Sequence, residues 1–176
     1  MLYRFQVEFS NIDQGIYESL DFRLAQHPSE SATYSLTRAL GYCLSYQEGL
    51  EFSAKGLGDP ESPAILVQGM NGPISLWIEI GNPTARKLHK ATKIAKQVVI
   101  YTYKDPNVLI NDIRSNDVHK ASEIDIYWLD PKVLAEIEKK LQKNNVWAVM
   151  VQDGRLSIEA GGESFETELK KLSVSF

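Results

Sequence analysis

The sequence predicts a mixed α/β fold (α+β by a stricter convention), in one domain, with a mixed central sheet flanked by helices. Short apolar runs alternate with helical patterns along the 176 residues. The apolar runs 76–80 and 98–101 enclose a helical pattern at 84–96, which is typical of a strand–helix–strand unit. A hydrophobic content of 43% over this length is ordinary for one domain with a full core.

The first elements are a hairpin and a helix. Apolar residues alternate with polar ones at 3–9 and again at 20–24, on either side of a turn at 11–15. Apolar residues then recur at helical spacing, which predicts a helix from about Ser29 to Tyr46 or Gln47. Ser29 is the expected N-cap, and Glu30 suits the positive end of the helix dipole.

The remaining elements follow from the same patterns. A segment rich in Gly and Pro at 56–63 separates two of the middle strands. Asp130-Pro131 predicts a helix start, and Asp153-Gly154 predicts a hairpin turn. The predicted strands after the first hairpin are 50–54, 64–67, 74–80, 98–101, 124–129, 147–151, 156–158 and 165–169, the last with a helix as the alternative. The predicted later helices are 84–96, 106–115 and 130–143.

Composition excludes several classes of protein. No apolar run approaches the roughly 18 residues of a membrane helix, and the start of the chain lacks the pattern of a signal peptide. Cys43 is the single cysteine, so neither an intrachain disulfide nor a cysteine-rich zinc site can form. We therefore expect a cytoplasmic protein. The net charge of −4 means that any contact with phosphate must come from a local basic patch.

The stretch from Leu76 to Tyr103 carries the strongest indication of chemistry. Glu79 lies where a buried strand would take an aliphatic residue, and five of the nineteen Lys and Arg residues lie between positions 86 and 96. A buried carboxylate needs a cationic partner or a metal ion. Glu79 is therefore either a metal ligand or the ion-pair partner of Arg86 or Lys90.

The order helix–strand–strand–strand–helix–strand is the layout of PD-(D/E)xK nucleases. In such a site two carboxylates hold Mg²⁺ against a phosphodiester, and a lysine orients or activates the attacking water. The candidates are Glu79 together with Asp59 or Glu61 as metal ligands, and Glu48 as an assisting carboxylate. The lysine expected two residues after the strand acid is Gly81 in this chain.

Cations of the following helix can replace that missing lysine. Lys90, with Lys87 or Arg86, is the expected substitute. Arg86, Lys90 and Lys93 also recur along one face of the helix, where they form either a phosphate-binding stripe or an ordinary solvated face. His89 and His119 have no acid or cysteine at metal-ligand spacing, so neither is assigned a role.

The chain resembles the bacterial YaeQ family along nearly its whole length. The stretches that carry the resemblance are Leu24–Glu30, Leu50–Phe52 through Gly56-Leu57, Leu76–Gly81 with Pro83, Arg86, Lys90, Tyr127–Leu129 and Gln152–Gly154. The resemblance implies a restriction-endonuclease-like core between about Ser29 and Tyr103, with a variant PD-(D/E)xK site. The chain departs from that pattern at Ala64, where such strands often carry an acid, so the second carboxylate must come from Asp59 or Glu61.

Two functional hypotheses follow from these observations. The first is a Mg²⁺-dependent phosphodiesterase or nuclease. The second is a non-catalytic domain that keeps the nuclease fold and binds nucleic acid or a protein partner.

Overall fold

The structure, a computed structural model, describes residues 1–54 and 60–175. Its helices and strands are, in chain order, β1 (Leu2–Asn11), β2 (Ile16–Ala25), α1 (Ala32–Leu44), β3 (Leu50–Phe52), β4 (Ile65–Gln68), β5 (Ile74–Ile80), α2 (Ala85–Ile94), β6 (Ala95–Thr102), α3 (Pro106–Ser115), β7 (Asp125–Trp128), α4 (Pro131–Glu138), β8 (Asn144–Gln152), β9 (Arg155–Ala160), β10 (Glu163–Glu168) and β11 (Lys170–Leu172). A 3₁₀ turn spans Ala121–Glu123.

The predicted mixed α/β class is confirmed. The described residues form two sheets, one in the strand order β10-β9-β8-β1-β2 and one in the order β11-β7-β6-β5-β4-β3. Each sheet contains parallel and antiparallel pairs. The first sheet belongs to a unit formed by Met1–Ser45 and Leu129–Lys170, and the second lies mainly in a unit formed by Tyr46–Trp128 and Lys171–Phe176.

In the first unit, β1 and β2 pair as the predicted antiparallel hairpin, and β1 also pairs in parallel with β8. The predicted hairpin turn at Asp153-Gly154 is confirmed, with positive φ angles of 52° and 70°. The Asp13 carboxylate accepts both backbone N–H groups of this turn, at 2.7 and 3.0 Å.

The start of α1 differs from the prediction. Ser31, not Ser29, is the N-cap, and its hydroxyl accepts the N–H of Tyr34 at 3.1 Å. The Ser29 hydroxyl instead lies 2.6 Å from Nδ1 of His27. Glu30 is also in a different role, because its buried carboxylate accepts hydrogen bonds from Ser35 and Arg38 within the first unit.

The end of α4 also differs from the prediction. Helical spacing continues to Lys143, but the helix ends at Glu138. The backbone N–H of Arg4 donates to the carbonyl of Lys143 at 2.8 Å, and Asn144 is the register partner of Arg4 in the β1–β8 pair. The residues from Lys139 to Lys143 therefore form the connection that leads into β8 and do not continue α4.

In the second unit, β5, α2 and β6 form the predicted strand–helix–strand unit with parallel strands. One face of this sheet packs against α2 and α3. The buried apolar residues of this layer include Trp77, Leu88, Ala91, Val98, Ile100, Leu109 and Ile113. Within the described residues, no helix combines the length and the apolar character that crossing a bilayer requires.

Candidate functional site

Glu79 lies inside the second unit, near the end of β5. Its side chain is 4% exposed. Because side chains two residues apart on a strand share a face, Glu79 lies beside Trp77 on the face covered by α2. The indole Nε1 of Trp77 donates to Oε2 of Glu79 at 3.0 Å. A buried strand position that is usually occupied by an aliphatic residue therefore holds a hydrogen-bonded carboxylate.

The chain reverses sharply after β5 and returns over it as α2. Gly81 has a φ of +82°, a conformation that favours glycine, and its N–H donates to the carbonyl of Tyr101 at 2.8 Å. The side chain of Asn82 accepts from the hydroxyl of Thr102 at 2.7 Å. Thr84 then caps α2 by accepting the N–H of Lys87 at 3.2 Å.

This reversal brings Lys87 to Glu79. The ammonium Nζ of Lys87 lies 2.9 Å from Oε1 of Glu79, and the lysine side chain is 21% exposed. The sequence pointed to Arg86 or Lys90 as the ion-pair partner, and that expectation is wrong. Lys87 is the partly buried cation of the first helical turn, whereas Arg86 is exposed.

The electrostatics of Glu79 reflect two opposing effects. Burial raises the pKa of its carboxyl above the ordinary value, because the charged form loses water. The ammonium of Lys87 and the indole N–H of Trp77 oppose the rise by stabilising the carboxylate. The direction of the net shift is upward.

A second acid–lysine pair lies along the same helix. Nζ of Lys90 is 2.9 Å from Oε2 of Glu61 and 3.2 Å from the Glu61 carbonyl oxygen. Both side chains are about half exposed, so this pair is worth much less than the buried one. Lys87 and Lys90 are three residues apart, which places both on one side of α2.

The other predicted site residues are placed differently. Glu48 is exposed in the turn before β3, and Arg86 and Lys93 are exposed on α2. Asp59 lies outside the described residues. Across 1–54 and 60–175, no three His, Cys, Asp or Glu side chains come close enough together to hold a metal ion.

A groove of about 400 Å³ lies beside Glu61, the acid of the exposed pair, and beside Trp77, the hydrogen-bond donor to Glu79. Glu61 and Trp77 line it, together with Phe52 and Leu66. This volume lies within the roughly 300–1,000 Å³ of sites that bind small molecules. The groove therefore has room for part of a substrate next to Glu61 and Trp77.

The histidines and the cysteine take structural positions. Nδ1 of His89 accepts the backbone N–H of His119 at 3.1 Å, and the thiol of Cys43 is buried within the first unit. Burial also raises the pKa of that thiol far above its ordinary value. Trp77 is a site residue to which the sequence patterns assigned no role; its position two residues from Glu79 on one strand is the signal that points to it.

The model of the YaeQ protein family matches residues 1–169 of the chain. The chain belongs to the YaeQ family. A curated YaeQ relative from Escherichia coli K12, described as uncharacterized, is 26% identical over 170 residues, covering 96% of this chain and 93% of the relative. The YaeQ protein of Salmonella typhi, described in the same way, is 24% identical over 169 residues, covering 96% of this chain and 93% of the relative.

Two solved YaeQ structures have the same fold. The crystal structure of YaeQ from Pseudomonas syringae is 25% identical and superposes with a TM-score of 0.88, covering 98% of this chain and 96% of that one. The YaeQ structure from Xanthomonas axonopodis pv. citri is 24% identical, with a TM-score of 0.87 and the same coverages.

Proposed function

We propose that the chain is a cytoplasmic, Mg²⁺-dependent phosphodiesterase that acts on nucleic acid. The observation that carries the proposal is the pairing of the buried Glu79 carboxylate with the ammonium of Lys87 at 2.9 Å. A strand carboxylate beside a lysine supplies two of the three groups of a PD-(D/E)xK-type site, and the lysine here comes from the following helix.

The order of elements supports the same proposal. The segment α1-β3-β4-β5-α2-β6 follows the helix–strand–strand–strand–helix–strand order of a restriction-endonuclease-like core. Glu79 lies near the end of the third of these strands, and Glu61 precedes the second. Because one fold serves many functions, the order of the elements bears on the fold, and the activity depends on the side chains of the site.

The residues present suit Mg²⁺. Glu79 and Glu61 offer carboxylate oxygens, which this ion prefers, and it commonly binds one or two carboxylates and keeps several waters. The ammonium beside Oε1 marks a position where Glu79 already stabilises a cation. In the proposal Glu79 is one ligand, and Asp59 or Glu61 is the second.

The other residues take roles around the phosphodiester. An Mg²⁺ ion held by these carboxylates would supply charge neutralisation at the phosphate and would help to make water a nucleophile. Lys90, with Lys87, holds the phosphate and orients the attacking water. Arg86 and Lys93 contact flanking phosphates from the exposed face of α2, and Glu48 assists from the turn before β3.

The test is cleavage of labelled single- and double-stranded DNA and RNA in Mg²⁺ or Mn²⁺, with EDTA as the blank. We expect cleavage by the wild type and a loss of about 100-fold or more in Glu79→Gln, which cannot neutralise a metal ion. Glu166→Gln, an exposed acid on β10 in the first unit, should cleave like the wild type. Equal cleavage by a folded Glu79→Gln protein would refute the proposal.

The second candidate is a non-catalytic binder of nucleic acid. The exposed positions of Arg86 and Lys93, neither of which forms an ion pair among the described residues, favour it. Such a protein would bind nucleic acid in EDTA, with an affinity that falls as salt rises, and Glu79→Gln would leave that affinity unchanged. Binding that requires a divalent ion would exclude this candidate.

A further inference from the structure

The two carboxylate oxygens of Glu79 have hydrogen-bond partners that differ in mobility. Oε2 accepts from the indole of Trp77, which is 1% exposed and lies in the same buried cluster as Leu88, Ala91 and Val98. This indole cannot turn away without disrupting the core, because interiors are close-packed. The hydrogen bond to this indole therefore fixes the position of Oε2.

Oε1 is held by a partner that can leave. The ammonium of Lys87 is carried on a flexible four-carbon stem, and its side chain is 21% exposed whereas that of Glu79 is 4% exposed. The lysine therefore connects a buried oxygen with solvent. Any cation that reaches Oε1 by this route takes the place of the ammonium, because both are attracted to the same oxygen.

We propose that Lys87 is a displaceable internal cation. Its ammonium neutralises Glu79 until a divalent cation takes Oε1, and the displaced ammonium then joins Lys90 and Arg86 as a ligand for phosphate. This inference rests on the proposed function, since it assumes that Glu79 binds a divalent ion. It adds that Lys87 competes with the metal for Glu79 and that metal binding strengthens phosphate binding.

The exchange follows from charge and position. A buried carboxylate without a cation is costly, so the ammonium stabilises Glu79 in the absence of metal. Once displaced, the ammonium lies one helical turn from Lys90, and Lys90 in turn lies one helical turn from the exposed Arg86. Metal and phosphate then strengthen each other's binding by the same factor, because such coupling is reciprocal.

The first experiment is a calorimetric titration of Mn²⁺ into the wild type, Lys87→Met and Lys96→Met. Lys96 is an exposed lysine of the same unit and is the matched control. We expect Lys87→Met to bind Mn²⁺ about tenfold or more tightly than the wild type, because the competing cation is gone. Lys96→Met should bind like the wild type. Circular dichroism checks folding, and Lys87→Gln, which keeps a donor for Oε1, replaces Lys87→Met if that variant does not fold.

The second experiment locates the ion and tests the coupling. Mn²⁺ should broaden the indole N–H resonance of Trp77, which is identified by its absence in Trp77→Phe. Inorganic phosphate should bind the wild type more tightly in Mg²⁺ than in EDTA, and Lys87→Met should lose that difference.

The outcomes separate the inference from the proposed function. Mn²⁺ binding at Trp77 that is equal or weaker in folded Lys87→Met would overturn the inference alone. Mn²⁺ that leaves the Trp77 resonance unchanged, or that binds neither protein, would overturn the metal role of Glu79 and with it both proposals.

Discussion

Trp77 and Glu79, two residues apart on β5, form a hydrogen bond of 3.0 Å inside the second unit. This contact makes an aromatic core residue part of the candidate site. It fixes the orientation of the carboxylate, while Lys87 supplies the charge that makes its burial tolerable. The side chain of Trp77 therefore serves both the packing of the core and the orientation of the candidate site's carboxylate.

The Trp77–Glu79 contact predicts a measurable coupling. Trp77→Phe removes the indole N–H and leaves Oε2 without that donor, whereas in a Glu79→Leu background there is no acceptor to lose. We expect the two changes to be non-additive in the free energy of unfolding by about 1.5–3 kcal/mol, the range for hydrogen bonds to charged groups. Urea unfolding of the four proteins measures it. Additive effects would show that the bond contributes nothing to stability.

The burial of Glu79 predicts a pH dependence of stability. The pKa of this carboxyl is raised in the folded protein by burial, so the folded state keeps the proton to higher pH than the unfolded state. Its contribution to the free energy of unfolding is therefore fully present below the ordinary carboxyl pKa and is lost as pH rises through the folded-state pKa.

Glu79→Gln removes this loss because an amide does not ionise. The stability of the variant relative to the wild type should therefore rise with pH, starting from the ordinary carboxyl pKa. Urea unfolding in EDTA, from about pH 4 to about pH 8, measures the difference. Ile78→Val, a change on the same strand that does not titrate, should give a difference independent of pH. A difference for Glu79→Gln that is flat or falls with pH would contradict the prediction.

The buried pair Glu30–Arg38 predicts a large cost for removing one partner. Nη2 of Arg38 lies 2.9 Å from Oε2 of Glu30, and both side chains are at most 4% exposed. Arg38→Met or Glu30→Leu alone should lower the free energy of unfolding by about 3–5 kcal/mol, because each leaves a buried charge without its partner. The double variant should lose less than the sum. Denaturant unfolding tests this, and a strictly additive loss would argue against the pair.

The thiol of Cys43 should be chemically silent in the folded protein. The residue is 1% exposed, and burial raises the pKa of the thiol, so thiolate is scarce and reagents cannot reach it. We expect no reaction with a thiol-specific reagent in native buffer and complete reaction in guanidinium chloride. Rapid labelling of the native protein would mean that α1 opens readily.

Local patterns were enough to predict most of the helices and strands. Alternation along β1 and β2, the Pro starts of α3 and α4, and the Asp153-Gly154 turn all act over a few residues, so their signals are complete in the sequence. The capping of α1 could not be predicted in the same way. Ser29 and Ser31 are both good caps, and the choice depends on where Glu30 is buried against Arg38.

Some features of the candidate site can likewise be predicted from local sequence, whereas others depend on tertiary packing. The sequence alone determined that a carboxylate lies within an apolar strand, that a basic helix follows it, and that a mixed α/β fold of the YaeQ family contains both. The partners of these side chains are set by tertiary packing, in which Lys87 pairs with Glu79, Lys90 pairs with Glu61, and Trp77 donates to Oε2 of Glu79. The rotation of α2 over the sheet sets these partners. That rotation follows from Gly81, the Thr84 cap and the packing of Leu88 and Ala91, and composition does not encode it.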